Sequence, residues 1–483
     1  MPITGYAQDL FEGLPKTFPP DLLLPLLTPL VGHPSEEALA RLPARKAGKP
    51  TFTSLDDWEV STHVFPAAYP RSLRGSTTSD EIFFPVDEPK GKPLETANKL
   101  REGNLKARRI HTPEELRNTE EPQLFISASR YYRKEGSPGL RSVKSNQALT
   151  PVLVHSLGLH KESWEPVLSG ILTSSSADSI DEIWSLDLVQ HGDSALLNKG
   201  NIGEIYDLND SVRDTLQFIL AYLPERSNQA GVLPMVLPRK EPLNPDMLLL
   251  DYSKSKSIES PGIIRSRRVS LWGYSIGGSL AALAITTLPQ IFHSSFLIEP
   301  ILTPEEGFSD VGMYLASQIS SIPTEWASRE IATAFFSLNE PKNKLKSWLP
   351  IAIENFVKFG WIEKTPGQSK IVNKSNLINV ASSFTNSRDR ATKGFQRLVK
   401  MRENAEGFAS IPQLHIILSH PRSSQIPESY VKKINDMIKP DTEIVRIYSD
   451  HLIIGASPIH LAGAIARKLA SLPPEDILLK YIH

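Results

Sequence analysis

Short apolar runs alternating with helical stretches predict an α/β protein, built on a mainly parallel, twisted sheet flanked by helices on both faces. Two observations carry this. Runs such as Pro151–His155, Ile183–Leu188, Ser295–Glu299 and Leu414–Leu418 are near-continuously apolar, as strands buried on both faces are. Between them lie stretches of helical period, including 208–223 with Val212, Leu216, Ile219 and Leu220, and a closing helix at 458–471.

In chain order, residues 1–55 are proline-rich with one apolar patch and form an N-terminal extension. Trp58 to Phe65 alternates as a half-buried strand. The polar stretch 70–122 is expected to be a surface excursion with a short helix near Thr112 to Asn118, and Leu124 to Tyr132 the second strand. The strand 151–155 ends in His155-Ser156-Leu157-Gly158, and 183–188 runs into Asp187-Leu-Val-Gln-His191-Gly192-Asp193-Ser194. A Pro-, Lys- and Ser-rich stretch, 224–266, is expected to be a solvated insertion. A largely helical block, 303–408, separates 295–299 from the last two strands, 414–418 and 443–447. The expected organisation is an extension (1–55), a core (56–302), a helical cap (303–410) and the remainder of the core (411–483).

Composition narrows the function. With 40% hydrophobic and 22% charged residues and a net charge of −1, nothing points to nucleic acid or an acidic membrane as partner. The absence of cysteine excludes disulfides, thiol nucleophiles and thiolate metal sites. No His-Glu-x-x-His and no Gly-x-Gly-x-x-Gly opening a helix is present, so no metal and no nucleotide cofactor is expected. The apolar run Leu22–Val31 is broken by Pro25 and Pro29, well short of the ~20 residues of a membrane span. With no secretory leader and a Tyr481-Ile482-His483 terminus unlike a Ser-Lys-Leu signal, the cytoplasm is the expected compartment and the peroxisome the alternative. Oligomeric state leaves no mark.

Residues 269–288 concentrate the chemistry. An apolar strand, Val269 to Trp272, meets a small-residue helix through Gly273-Tyr274-Ser275-Ile276-Gly277. In a nucleophile elbow the serine occupies a strained strand-to-helix turn, and the residues two before and two after it are pressed together, so both must be small. Gly273 and Gly277 meet that demand.

Four motifs in order, His155-Ser-Leu-Gly-Leu-His-Lys-Glu-Ser-Trp, Asp187-Leu-Val-Gln-His-Gly-Asp-Ser, Gly273-Tyr-Ser-Ile-Gly-Gly and Leu297-Ile-Glu-Pro, resemble fungal α/β-hydrolases of the peroxisomal lipase, toxin-biosynthesis hydrolase and acyl-CoA hydrolase type. The resemblance covers roughly 124–302 well, the cap loosely, and 410–472 again. It implies the α/β-hydrolase fold with a helical cap inserted after the sixth strand, and a triad in the chain order serine, acid, histidine.

Ser275 is then the nucleophile and His451, after the last strand, the base; His460, inside the closing helix, is a surface or packing residue. The strand 414–418 is followed by no carboxylate until Glu428, so the acid is expected at Glu299, where the acyl-CoA hydrolase branch carries an aspartate; Asp450 is the competitor. The oxyanion hole is expected from the N–H groups of Ile276 and Leu157. A serine at 156, where glycine is usual, is expected to crowd that loop. His155, Asp187, His191 and Asp193 are expected as scaffold. Trp326, Ile331, Phe335, Phe336, Trp348, Ile351, Phe356 and Phe359 are expected as cap core, with an inner face toward an apolar acyl chain, and the basic run 341–346 as solvated charge. The expected function is a serine hydrolase of carboxylic esters or thioesters acting through an acyl-enzyme. The rival is a non-catalytic binding protein of the same fold; an epoxide or dehalogenating hydrolase needs an elbow aspartate, which Ser275 excludes.

Overall fold

The computed structural model describes residues 31–43, 57–77 except 74, 93–107, 121–135, 148–225, 233–240, 267–303, 311–338, 345–403, 412–420 and 444–471, with isolated positions at 23, 24, 26, 29, 137, 432 and 436. Eight strands form the main sheet: β1 (Trp58–Pro66), β2 (Phe125–Arg133), β3 (Leu149–Val154), β4 (Glu182–Leu186), β5 (Arg268–Tyr274), β6 (Ser294–Ile298), β10 (Gln413–Ser419) and β11 (Ile444–Ile447). A second sheet of three short strands holds β7 (Glu325–Trp326), β8 (Trp361–Glu363) and β9 (Ile371–Asn373).

The main sheet runs β1-β2-β4-β3-β5-β6-β10-β11, and β2 pairs antiparallel with both neighbours while the remaining pairs are parallel. Register brings the carboxyl ends of the central strands into one row: Val154 lies beside Gly273, Tyr274 beside Ile298, and Ile298 beside Ile417. Parallel sheets place their sites along such an edge.

The period-2 alternation of strand side chains divides the core. Val152, Val154, Leu271, Leu297 and Ile416 face one layer; Leu153, Trp272, Phe296, Ile298 and Ile417 face the other. The first layer is covered by the helices Leu208–Gln217, Ile276–Thr287 and Ser387–Glu403, the second by Glu165–Leu172 and Pro458–Ala470.

Each strand expected from the sequence lies within about two residues of its expected bounds. The intervening segments differ more. The excursion 70–122 contains a 15-residue helix, Pro93–Ala107, whose buried face of Thr96, Ala97, Leu100 and Asn104 packs near Met313, Ala316 and Ala381; the helix expected near 112–118 lies outside the described residues. Of the insertion 224–266, residues 233–240 extend the sheet edge beside β1: Val64 N–H donates to Met235 C=O (2.7 Å) and Leu237 N–H to Val64 C=O (2.9 Å). That stretch pairs with the edge strand at Val64 while staying exposed or half-buried, with Leu237 its buried residue. In the block expected to be a helical cap, β7 to β9 form a small sheet, and its last helix, Ser387–Glu403, packs on Ile276–Thr287 through Gly394, Phe395 and Leu398. That helix belongs to a sheet-covering layer.

A buried charge cluster ties the inserted segment to the sheet. Lys161, fully buried, reaches Asp193 (2.5 Å), Glu162 (2.9 Å) and Asp187 (3.2 Å), and Lys374 from the end of β9 holds the other oxygen of Asp193 (2.6 Å). Burial alone raises an acid, yet Lys161 and Lys374 hold the Asp193 carboxyl below its ordinary value. Removing one partner from such a cluster leaves uncompensated buried charge. Lys161→Met is therefore expected to lower stability by about 3–5 kcal/mol in urea unfolding; a loss under ~1 kcal/mol would show that the carboxylates find other partners.

Candidate active site

Ser275 joins β5 to the helix Ile276–Thr287 with φ 55° and ψ −119°. A non-glycine residue at positive φ costs on the order of 1–3 kcal/mol and persists only where its surroundings fix it. Here a β-carbon on Gly273 would stand 2.2 Å from the Gly277 carbonyl oxygen, and one on Gly277 would stand 2.5 and 2.7 Å from the carbonyl oxygens of Val154 and His155. Both positions require hydrogen because main chain meets main chain. The helix is buried along its whole length, which holds the turn from the other side.

Ser275 Oγ lies 2.9 Å from His451 Nε2, and His451 Nδ1 lies 2.9 Å from Glu299 Oε2. Glu299 accepts the Nδ1–H, leaving Nε2 free to accept the serine proton. The carboxylate is fully buried and its second oxygen accepts the Ser419 N–H at the end of β10. Glu299, like Ser275, has positive φ (46°), and its N–H donates to Ile417 C=O (2.8 Å). Ser275 and His451 are 7% and 8% exposed, so each borders solvent without being open to it. Tyr274 OH donates to the His451 carbonyl (2.9 Å), pinning the turn that carries the imidazole; burial, with the charges of Glu299 and Asp450, pushes that phenol well above its ordinary value and keeps it a donor.

The competing acid is engaged elsewhere, since Asp450 Oδ1 accepts the Leu452 N–H (2.9 Å) and caps the turn after His451. His460 is exposed on the closing helix, and Glu428 lies outside the described residues. Two contributors have no sequence signal. Ser419 acts through its main-chain N–H, and Tyr274 fills a variable position of the pentapeptide.

Residues 156–159 form a β-turn closed by Leu159 N–H to Ser156 C=O (3.1 Å), with Gly158 third at φ +81°. Glycine is needed there because the third position of such a turn takes positive φ. Ser156, by contrast, is not at positive φ, so its backbone conformation does not require glycine. Leu157 and Ile276 belong to one buried apolar cluster. His155 is buried between Ser156 C=O and Leu188 N–H, and Asp187 accepts the N–H groups of Lys161 (2.8 Å) and Asp193 (2.9 Å).

From the inserted segment, Phe336, Trp348 and Phe356 are buried in a cluster that also holds Tyr274, Ile298, Ile453 and Ile454, whereas Ile331 (51%), Phe335 (38%) and Ile351 (54%) are exposed. The Trp348 ring packs against Gly455, just beyond the histidine turn, where a β-carbon would stand 2.2 Å from the ring's Cδ2. A separate cleft of about 600 Å³ opens between Pro93, Thr96 and residues 320–325, with none of the above residues in its walls. Among the described residues, no group of three or more His, Asp or Glu side chains could hold a metal ion.

No family model matches the chain. Over 164 residues it is 23% identical to the peroxisomal membrane protein LPX1 of Saccharomyces cerevisiae, and that stretch covers 34% of this chain and 33% of the relative. Among solved structures it is similar to the peroxisomal α/β-hydrolase Lpx1 of the same yeast, with a TM-score of 0.56 and 16% identity over 86% of this chain and 90% of that one. A thioesterase domain from the curacin biosynthetic pathway aligns more loosely, at a TM-score of 0.40 with 13% identity over 72% and 95%. The chain is thus related to a yeast α/β-hydrolase.

Burial lowers His63 to about 4 and His155 to about 3. Below pH ~6.5 the unfolded chain binds protons at both while the folded chain does not, so their neutral burial stabilises at neutral pH and that stability is lost as pH falls. Between pH 7.5 and 5, urea unfolding is expected to show a loss on the order of 2 kcal/mol per histidine. A flat profile would contradict their neutral burial.

Proposed function

We propose that this chain, which has the α/β-hydrolase fold, is a serine hydrolase that cleaves a carboxylic ester or thioester with an apolar acyl group. The observation that carries the proposal is the hydrogen-bonded chain from Ser275 Oγ through His451 to Glu299, at the carboxyl ends of β5 and β6.

Ser275 Oγ attacks the acyl carbon while His451 Nε2 takes its proton. The carbonyl oxygen becomes an oxyanion that accepts the N–H groups of Ile276 and Leu157. Collapse expels the alcohol or thiol, protonated by His451, and leaves an acyl-serine. Water then attacks, losing its proton to His451, which returns it to Ser275 as the acid departs. Glu299 keeps the Nδ1 proton in place and stabilises the imidazolium of each step. An apolar acyl group is supported by the cluster of Phe336, Trp348 and Phe356 with Tyr274 and Ile453.

Among the described residues no helix is long and apolar enough to cross a membrane. The relative's printed location supports the peroxisome as the compartment to test first.

A panel of p-nitrophenyl esters and acyl-CoA thioesters of increasing chain length tests the activity. The wild type is expected to prefer medium or long acyl groups. Ser275→Ala and His451→Ala are expected to lower kcat by about 10⁴–10⁶-fold, and Glu299→Gln by about 10³–10⁴-fold. A folded wild type that cleaves no member would sink the hydrolase reading in favour of a binding protein of the same fold.

A further inference from the structure

The two peptide units that flank the Leu157 Cα are each held by an imidazole from a different loop. Ser156 C=O shares its peptide plane with Leu157 N–H, and it accepts the Nδ1–H of His155 (2.8 Å) as well as the turn bond from Leu159. The C=O and N–H of a trans peptide point in opposite directions, so fixing that carbonyl fixes where the Leu157 N–H projects. The next peptide is held from its other end, where Gly158 N–H donates to His191 Nε2 (2.9 Å).

Both rings act as neutral groups, since each uses Nε2 as an acceptor; that of His155 takes the Leu188 N–H (3.2 Å). Both are fully buried, their centroids are 5.1 Å apart edge to face, and burial lowers both from the ordinary histidine value. One atom is left over. With Nε2 accepting, His191 carries its proton on Nδ1, and that atom is buried with no hydrogen-bond partner among the described residues. An unmet buried donor is unfavourable, so packing alone does not account for an imidazole here.

We infer that His155 and His191 are positioning residues for the oxyanion donor: a two-imidazole clamp that fixes the peptide planes on both sides of Leu157, so that its N–H projects toward the acyl oxygen of a substrate on Ser275. The inference rests on the serine-hydrolase reading. It also accounts for Ser156, because the plane is held through the carbonyl and does not depend on the side chain at that position.

His191→Leu removes the acceptor, and His191→Gln returns an acceptor oxygen near the place of Nε2. His155→Leu and His155→Asn form the matching pair for the donor. On p-nitrophenyl butyrate each leucine variant is expected to lose about 10–100-fold in kcat with KM within about twofold, and each amide variant to recover most of the loss. Amide hydrogen exchange, followed by mass spectrometry on peptides spanning 155–160, is expected to quicken at Gly158 in His191→Leu and not in His191→Gln. Wild-type kcat in His191→Leu, unchanged exchange, or equal losses in the leucine and glutamine variants would each overturn the clamp. If the wild type reacts with neither ester nor fluorophosphonate, the hydrolase reading fails by itself. Exchange then still decides: slow exchange at Gly158 that His191→Leu abolishes upholds the clamp, and fast exchange in the wild type overturns it.

Discussion

The elbow helix meets the end of β3 through bare main chain, with Gly277 so close to the Val154 and His155 carbonyls that no β-carbon fits between them. That contact sets how far the serine stands from the loop that follows β3. It brings the start of the helix and the 156–159 turn onto the same edge of the sheet. The strain at Ser275 is sustained by its neighbours: its N–H donates to Ile298 C=O (2.9 Å) and its C=O accepts from Ile301 (3.2 Å), so adjoining strand ends share the turn.

Glu299 is held by a related device one strand further on. Glu299 leaves β6 at positive φ, donates its N–H to β10 and turns its carboxylate back between Ser419 and His451. Both carboxylate oxygens are then engaged, so neither is left buried without a partner. Further from the serine, the Lys161 cluster and the Trp348–Gly455 contact anchor the inserted segment at two points, one beside the 156–159 turn and one beside the turn that carries His451.

Much of this is legible in the sequence, and the reasons it is or is not are physical. The strands of the main sheet are short apolar runs with few alternatives, and Gly273 and Gly277 mark a place where only hydrogen fits. Glu299 stands out because the usual acid position after β10 holds Ser419, and in the structure that position serves instead to hold Glu299. The rest has weaker signals. The helix Pro93–Ala107 buries Thr96, Ala97 and Asn104, small and polar residues that leave little hydrophobic period. Strands of two or three residues, such as Glu325–Trp326, have no period at all. The stretch 233–240 pairs with the edge strand through its main chain, to which composition is blind. His191 reads from the sequence as scaffold, but its link to Gly158 joins two loops that the sequence does not bring together.

The central claim is that Ser275 is an activated nucleophile. The most direct measurement is reaction of the purified protein with a fluorophosphonate, the modified residue being located by peptide mass spectrometry. A single adduct is expected on the peptide bearing Ser275, formed far more slowly when His451 is replaced. A folded protein that forms no adduct, or forms it at another serine, would contradict it.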